Sequence, residues 1–307
     1  VSPEALIRNL EHGIRRCRDF GEPLPVAYTP DSFGHIAQLP LLVAGFGLDT
    51  IVFERGVGDE GERLRGEFHW TAADGMTTVN AVHLLTTYSA ATAWGHVDWE
   101  LTDTYSAERA VRQARAVLFG LKGDTPDYPQ WVLNALAKLQ DGAAGYATTD
   151  ALMVLNGSDH LFPQPNVPDL LEALERAIPE ATFIQADVEE FVNVVKRPIG
   201  ELERYQGEFR GSRYHHVLSG VYSARLYLKQ ANHAAEQLLE REVEPLATLA
   251  AVHGAPYPLA FVTALVVMRT LDPGVVDRSR TPGAQLREAL VVVRRKAVLS
   301  PVALSLV

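Results

Sequence analysis

The feature that most constrains this chain is a strand–helix–strand pattern close to its N-terminus. Residues 24–28 form a short apolar run of the kind that builds a buried strand. A helix is predicted over 36–43, ended by Gly45 and Gly47, and a second strand over 50–53. Because this order of elements is that of a βαβ unit, the two strands are predicted to be parallel neighbours in an α/β fold.

The alternation of helices and strands continues to about residue 200. A helix is predicted over 2–21, and a hairpin within 67–88 around the turn Asp74-Gly75. Further helices are predicted at 106–121, 167–177 and 188–196, and further strands at 151–155 and 181–185. From about residue 217 the pattern is helical, over 224–253, 257–270 and 283–298. The sequence therefore predicts an α/β domain over 1–200 and a helical domain over 201–307.

Charge and apolar patterning disfavour two classes of partner. The formal net charge is −10 and the isoelectric point about 5.5, which argues against binding to nucleic acid or to anionic membranes. No apolar run reaches the roughly 18 residues of a membrane span, and the start of the sequence lacks a signal-peptide pattern. The single cysteine, Cys17, cannot form an internal disulfide. We expect a cytoplasmic protein without nucleic-acid or membrane partners.

Two aspartates follow predicted strands directly. Asp31 comes just after the strand at 24–28, and Asp159 just after the strand at 151–155. The carboxyl ends of parallel strands meet at the edge where α/β folds build their sites, so both carboxyls are predicted to face one cleft. A pair of carboxyls across a cleft is what cleavage of a glycosidic bond needs. The alternative is that Asp31 only caps a helix and Asp159 is an ordinary loop residue.

Histidines supply a weaker signal for a metal site. His35 alone is more often a hydrogen-bonded packing residue than a ligand. The adjacent pair His215-His216 suggests a metal, but two neighbouring rings cannot easily aim at one ion, so we expect at most one of them to be a ligand.

Several segments resemble one enzyme family. Residues 28–40, YTPDSFGHIAQLP, are similar to the hallmark segment of the glycoside hydrolase family 38 α-mannosidases, and the likeness continues through 45–56. Residues 155–160, 207–216, 219–225 and 227–232 match later family segments in the same order. The resemblance covers roughly residues 2–258. One position departs, because this chain has Glu54 where family members usually carry an aromatic residue.

The resemblance implies a fold and a set of roles. It implies an incomplete (β/α) barrel of parallel strands, as the catalytic domain, followed by a helical-bundle middle domain. It also implies zinc-dependent, retaining hydrolysis of α-mannosides, with Asp31 as nucleophile and zinc ligand and Asp159 as general acid and base. His216 would be a zinc ligand, Arg55 would orient Asp31, and Tyr88 would line the sugar pocket. For the last two, a surface arginine and a packed tyrosine at a strand end are the alternatives.

Parts of the family pattern are missing from this sequence. The family's early His-x-Asp motif supplies two more zinc ligands, and no such motif precedes Asp31. We therefore expect the first barrel strand to lie outside this sequence and the remaining zinc site to bind weakly. A Pro-His-Asp-Ser-type segment expected after about Pro258 and the family's C-terminal β domain are not found either.

Three functions stay open from the sequence. The first is a fragment of an α-mannosidase that acts on α-mannosides or mannose-containing glycans, and that forms homo-oligomers as family members often do. The second is a carbohydrate-binding relic without catalysis. The third is another metal hydrolase on a similar barrel, such as a polysaccharide deacetylase, which would need an aspartate and two histidines close together at one strand end.

Overall fold

The predicted βαβ unit is present in the computed structural model, which describes residues 2–95, 106–121, 137, 141–157, 159 and 164–259. Helix α1 (Pro3–Cys17) precedes strand β1 (Ala27–Thr29), helix α2 (Leu39–Gly45) and strand β2 (Thr50–Phe53). The two strands are parallel, with Tyr28 opposite Val52, as the sequence predicts. Strand β1 begins later than expected, since Pro25 has no N–H to give to a ladder.

The next elements form the predicted hairpin. A short helix α3 (Gly61–Leu64) leads into strand β3 (Glu67–Thr71), which pairs antiparallel with strand β4 (Thr78–His83). In the turn, the Asp74 carboxylate accepts from the backbone N–H groups of Met76 and Thr77, both at 2.9 Å. Gly75 adopts a φ of 73°, which a residue without a Cβ reaches without strain. The Asp-Gly signal therefore locates this turn correctly.

Helices follow the hairpin, and several begin at polar caps. They are α4 (Thr92–Gly95), α5 (Ala107–Phe119), α6 (Gly142–Tyr146), α7 (Val167–Ala177) and α8 (Val188–Val195). The predicted helices at 106–121, 167–177 and 188–196 are thus confirmed. Ser106 accepts from the N–H of Arg109 at 3.4 Å, and Asp187 and Glu190 form a reciprocal capping box before α8.

The sheet is mixed rather than purely parallel. Strand β5 (Arg204–Gln206) pairs parallel with β3, and the strand order is β1-β2-β4-β3-β5. Strands β2 and β4 are also parallel. The hairpin of β3 and β4 is therefore the only antiparallel pair among the described strands. The described strands form an open sheet with β1 and β5 at its edges, and closure into a barrel stays a prediction.

Two predicted strands are wrong. Residues 151–155 and 181–185 lie outside any β-ladder of the described residues. The apolar run at 151–155 nevertheless packs against the core. Ala151, Met153 and Leu155 pack against one apolar cluster, whereas Val154 packs against another. An apolar run predicts that its side chains are packed, but a ladder also needs a neighbouring strand with free backbone groups.

The core lies on both faces of the sheet. One cluster contains Ile51, Phe53, Phe68, Trp70 and Phe209, all almost fully buried. On the other face, Val52, Val82 and Leu84 pack against Val192 and Val195 of α8. Successive residues of β2 therefore belong to opposite clusters, and this is why its sequence is apolar throughout.

The described residues separate into two compact units. One comprises residues 14–218 and contains the sheet, and the other comprises the described residues among 1–13 and 219–307. The second unit has a 3₁₀ turn at Ser219–Tyr222, helix α9 (Leu226–Leu238), a π-helical turn at Leu239–Val243 and helix α10 (Glu244–Val252). The predicted helices at 257–270 and 283–298 lie almost wholly outside the described residues. In the part of the chain that is described, no helix combines the length and apolar character that crossing a membrane needs.

Candidate active site

Candidate site residues gather where β1, β2 and β4 end. Asp31 follows β1 by two residues, Arg55 follows β2 by two, and Tyr88 follows β4 by five. A later segment, residues 209–216, lies against the ends of β1 and β2 through paired backbone hydrogen bonds of His35 with Phe209, at 2.8 and 2.9 Å. The strand ends and this segment together carry the residues described next.

A close backbone contact fixes the 209–216 segment. Gly211 donates its N–H to the carbonyl of Gly56 at 2.6 Å. A Cβ added to Gly211 would lie 2.3 Å from the Cα of Gly58, which is closer than any side chain permits. Glycine is therefore required at this crossing, and the histidines that follow depend on it for their position.

Asp31 is held by Arg55 through one oxygen. The Nε and Nη2 atoms of Arg55 both donate to Oδ1 of Asp31, the first at 2.8 Å. Oδ2 has no hydrogen-bond partner among the described residues. The Arg55 side chain is 9% exposed and that of Asp31 is 46% exposed, so a buried guanidinium binds a carboxylate that faces solvent. This is the contact that the predicted orienting role of Arg55 requires.

Arg55 also reaches His216. Its Nη1 lies 3.1 Å from Nε2 of His216 and donates to the His216 carbonyl at 3.2 Å. The other ring nitrogen, Nδ1, lies 3.4 Å from the same Nη1, and a ring nitrogen that accepts from the guanidinium carries no proton. The Phe33 ring covers the other side, with its centroid 5.0 Å from Cζ of Arg55. Arg55 thus joins Asp31, Phe33 and His216 in one group.

The charges of the two candidate carboxyls both act on Tyr88. Burial raises the pKa of its phenol above the ordinary value, and the charges of Asp31 and Asp159 raise it further. Asp159 itself is exposed. The structure places Asp31 and His216 in contact with Arg55, whereas Tyr88 and Asp159 are related to this group only through the effect of charge on the Tyr88 phenol. The roles of all five residues stay predictions.

Glu54 is a functional candidate to which the sequence assigned no role. It is 2% exposed, and one of its carboxylate oxygens accepts from the Tyr88 N–H at 3.0 Å and from the Thr87 hydroxyl at 3.1 Å. The other oxygen lies 3.1 Å from Nδ1 of the buried His215, which the sequence suggested only as one of a pair of possible metal ligands. The sequence signal for Glu54 was its departure from the aromatic residue usual in the resembling family.

A shared proton joins Glu54 to His215. Nε2 of His215 lies 3.1 Å from the carbonyl of Leu85 and must donate to it. Burial lowers the pKa of His215 to about 4, so the neutral ring presents an unprotonated Nδ1 to Glu54. Burial also raises the pKa of Glu54 to about 7, which favours a protonated carboxyl that donates to this nitrogen.

Comparison with known proteins gives the family. The model of the glycosyl hydrolases family 38 N-terminal domain matches residues 1–208. The chain belongs to glycosyl hydrolase family 38. A curated relative, the putative mannosylglycerate hydrolase of Halalkalibacterium halodurans, is 29% identical over 265 residues, which are 81% of this chain and 26% of that protein.

A solved structure supports the fold. The crystal structure of an α-mannosidase from Enterococcus faecalis V583 superposes with a TM-score of 0.62 and 23% identity, over 97% of this chain and 32% of that one. The family 38 chain described here thus spans about a quarter to a third of the length of these two proteins.

The predicted zinc ligands do not complete a metal site by themselves. Within the described ranges, no group of three or more histidine, cysteine, aspartate or glutamate side chains could hold a metal ion. Asp31 and His216 supply two donors, and both contact the cationic Arg55. Zinc sites in proteins use three or four protein ligands. The residues described here do not fit zinc on their own, and zinc dependence stays a prediction.

Proposed function

We propose that this chain carries the catalytic carboxyls of a retaining α-mannosidase. The observation that carries the proposal is the arrangement of Asp31, which Arg55 holds through Oδ1 while Oδ2 has no partner among the described residues. The charge of Asp159 acts on Tyr88, as that of Asp31 does. Membership of family 38 supports mannosides as the substrates.

In the first step, Oδ2 of Asp31 attacks the anomeric carbon. The bond from that carbon to the leaving oxygen breaks, and Asp159 gives its proton to this oxygen. Arg55 keeps the attacking carboxylate in one orientation through two hydrogen bonds to Oδ1, so rotation does not take Oδ2 away from the sugar. The product is a sugar ester of Asp31 with an inverted anomeric centre.

In the second step, water replaces Asp31. Asp159, now ionised, accepts a proton from the water as its oxygen bonds to the anomeric carbon, and Asp31 leaves as carboxylate. The anomeric centre inverts again, so the overall result is retention. Retaining enzymes need carboxyls about 5–5.5 Å apart, and the proposal requires this separation of Asp31 and Asp159.

The experiment measures hydrolysis of an aryl α-mannoside by the wild type, Asp31→Asn, Asp159→Asn and the control Asp59→Asn. Asp59 pairs with Arg213 at 2.7 Å and is not among the site residues. We expect Asp31→Asn to lose at least roughly 10³-fold in kcat/KM, because no nucleophile remains, while Asp59→Asn keeps its activity. Equal activity of Asp31→Asn and the control would refute the proposed nucleophile.

Azide rescue then separates the two carboxyls. With Asp159→Asn, azide needs no base and should restore turnover, giving the α-mannosyl azide after two inversions. With Asp31→Asn, any azide product should form by a single inversion and be the β-anomer. The one-bond coupling between C1 and H1 distinguishes the products, because H1 and H2 of a mannoside are gauche in both anomers, and the opposite assignment would exchange the two roles.

Zinc dependence is proposed as a separate question. Metal content is measured before and after dialysis against a chelator, for the wild type and for His216→Ala. Zinc that is retained by the wild type and lost in His216→Ala would assign this histidine as a ligand. Turnover that is insensitive to the chelator would show that the two carboxyls act without zinc.

A second candidate substrate is mannosylglycerate. The name of the Halalkalibacterium halodurans relative favours it. Both candidates are α-mannosides, and they differ in the leaving group. Comparing kcat/KM for mannosylglycerate and for an uncharged alkyl α-mannoside decides between them, while mannose binding without turnover of either would favour the non-catalytic relic.

A further inference from the structure

Glu54 and Arg55 are consecutive residues at the end of β2 with different sets of partners. Arg55 contacts Asp31, Phe33 and His216, as described above. Glu54 contacts Thr87, Tyr88 and His215 instead. Because successive side chains of an extended strand point to opposite sides, one strand end can hold the site from two directions. The mechanism uses Arg55 but leaves Glu54 unexplained.

The carboxyl of Glu54 joins two separate segments. Oε2 binds the 87–88 segment through the hydroxyl of Thr87 and the backbone N–H of Tyr88. Oε1 binds His215, which immediately precedes His216. Thr87 adopts a φ of 71°, an unfavourable conformation for a β-branched residue that needs surrounding contacts to maintain it. Glu54 supplies two of those contacts at the point where the chain turns toward the site.

Tyr88 depends on this anchor more than its neighbours do. Its hydroxyl is within reach of the charges of both Asp31 and Asp159, while its own backbone N–H is bound by Glu54. A displacement of the backbone at this position would therefore move the phenol relative to both carboxyls. Shifts of about 1 Å in a positioning group are enough to reduce catalytic rates greatly.

Burying an apolar side chain at position 54 would cost less free energy than burying a carboxyl. A carboxyl at 2% exposure is unfavourable unless its hydrogen bonds are satisfied, and here three donors or acceptors from two segments satisfy it. Buried polar groups of this kind are typical of positions where local stability is given up for a defined geometry.

We propose that Glu54 is a positioning residue that fixes the backbone of Tyr88 at the candidate site and thereby sets the efficiency of mannoside hydrolysis. The proposal rests on the proposed function, since the effect on hydrolysis requires that Asp31 and Asp159 act on a mannoside. Under this proposal, Glu54 contacts neither the sugar nor the reacting atoms. It acts only through Tyr88 and, on its other side, through His215.

The test compares Glu54→Met, Glu54→Gln and Glu67→Met. Methionine fills the volume of Glu54 without an acceptor, whereas glutamine keeps an acceptor for Tyr88 and a donor for Nδ1 of His215. Glu67 is a matched control, because it is also a buried glutamate that accepts from one backbone N–H and one threonine hydroxyl, both of Thr148. It has no contact with Tyr88 among those described here.

Two readouts are taken on each folded variant. Steady-state kinetics with an aryl α-mannoside give kcat and KM separately, and hydrogen exchange followed by NMR gives the protection of the Tyr88 amide. We expect Glu54→Met to lose roughly tenfold or more in kcat/KM and to exchange the Tyr88 amide at least about tenfold faster. Glu54→Gln and Glu67→Met should stay within about threefold of the wild type in both readouts.

The outcomes separate this proposal from the proposed function. A Glu54→Met variant with wild-type kinetics and wild-type exchange at Tyr88 would overturn the positioning role. So would equal kinetic losses in Glu54→Met and Glu67→Met, since these would reflect destabilisation alone. If Glu54→Met does not fold, rapid exchange of the Tyr88 amide in the wild type, or a tenfold loss in Glu54→Gln, overturns it. A wild type without turnover refutes the proposed function, and the exchange data then still decide whether Glu54 anchors Tyr88.

Discussion

The protonation of Glu54 should make the stability of this protein fall as the pH rises. Its pKa is raised from 4.5 to about 7, chiefly by burial, so the folded state binds this proton more tightly than the unfolded chain. The stabilisation is fully present below pH 4.5 and is lost as the pH rises through 7. Glu54→Gln cannot ionise, and the difference in unfolding free energy between the wild type and this variant isolates the contribution of Glu54.

The magnitude follows from the two pKa values. Each pH unit between them corresponds to about 1.4 kcal/mol, and the unfolded chain is already mostly ionised at pH 5. The wild type should therefore lose about 2.5 kcal/mol relative to Glu54→Gln between pH 5 and pH 8. Several buried histidines, His35, His83 and His215, have lowered pKa values and destabilise the fold at low pH in both proteins. The comparison of the two proteins removes most of that common effect.

Urea unfolding followed by tryptophan fluorescence measures the difference, because Trp70 is fully buried in the core beside the sheet. Midpoints are compared at pH 5, 6, 7 and 8, with the slope of the unfolding free energy on urea checked for constancy. A constant difference between the two proteins across this range would refute the reasoning, since it would mean that Glu54 ionises in the folded state as it does in water. If the wild type instead became more stable relative to Glu54→Gln as the pH rises, the pKa of Glu54 would be lowered on folding rather than raised.

Two further predictions concern the elements that support the site. Gly211→Ala should destabilise the fold by about 2 kcal/mol or more and lower kcat/KM, because its Cβ would collide with the backbone at Gly58. The control is Gly220→Ala, at an exposed position with no neighbour near its Cβ. Equal effects of the two substitutions would contradict the close contact at Gly211. Asp187→Ala should lower the free energy of unfolding by about 1 kcal/mol, because it removes the capping box of α8. Urea unfolding measures this loss, and the kinetics should stay unchanged. An unchanged unfolding midpoint would show that the cap contributes nothing to stability.

Local patterns predicted much of the fold. The run Thr-Ile-Val-Phe at 50–53 is a strand because both of its faces are buried, and Asp74-Gly75 is a turn because glycine accepts the positive φ. Helices with polar caps at Ser106 and Asp187 begin where predicted. Each of these features depends on residues close together in the sequence, which is why the sequence alone reveals them.

Contacts between residues that are distant in the sequence could not be predicted from it. Nothing near Gly56 indicates that Gly211 packs on it, or that His35 pairs with Phe209, so the start of α2 was placed too early. Likewise, the apolar run at 151–155 did not reveal that a ladder partner is lacking among the described strands. In the site, the position after a strand singled out Asp31 and the family resemblance predicted Arg55 beside it, but an isolated glutamate after an apolar strand gave no indication that it would bind Tyr88 and His215.

The division of work between Glu54 and Arg55 has a consequence for engineering. Arg55 directly holds Asp31, so under the proposed mechanism a library of variants at position 55 would mostly yield inactive clones. Under the same proposal, position 54 acts on the pocket only through Tyr88, and substitutions there alter the pocket in small steps while Asp31 keeps its geometry. If hydrolysis of mannosides is established, directed evolution should therefore begin at residues 54, 87 and 215 rather than at Asp31 and Arg55.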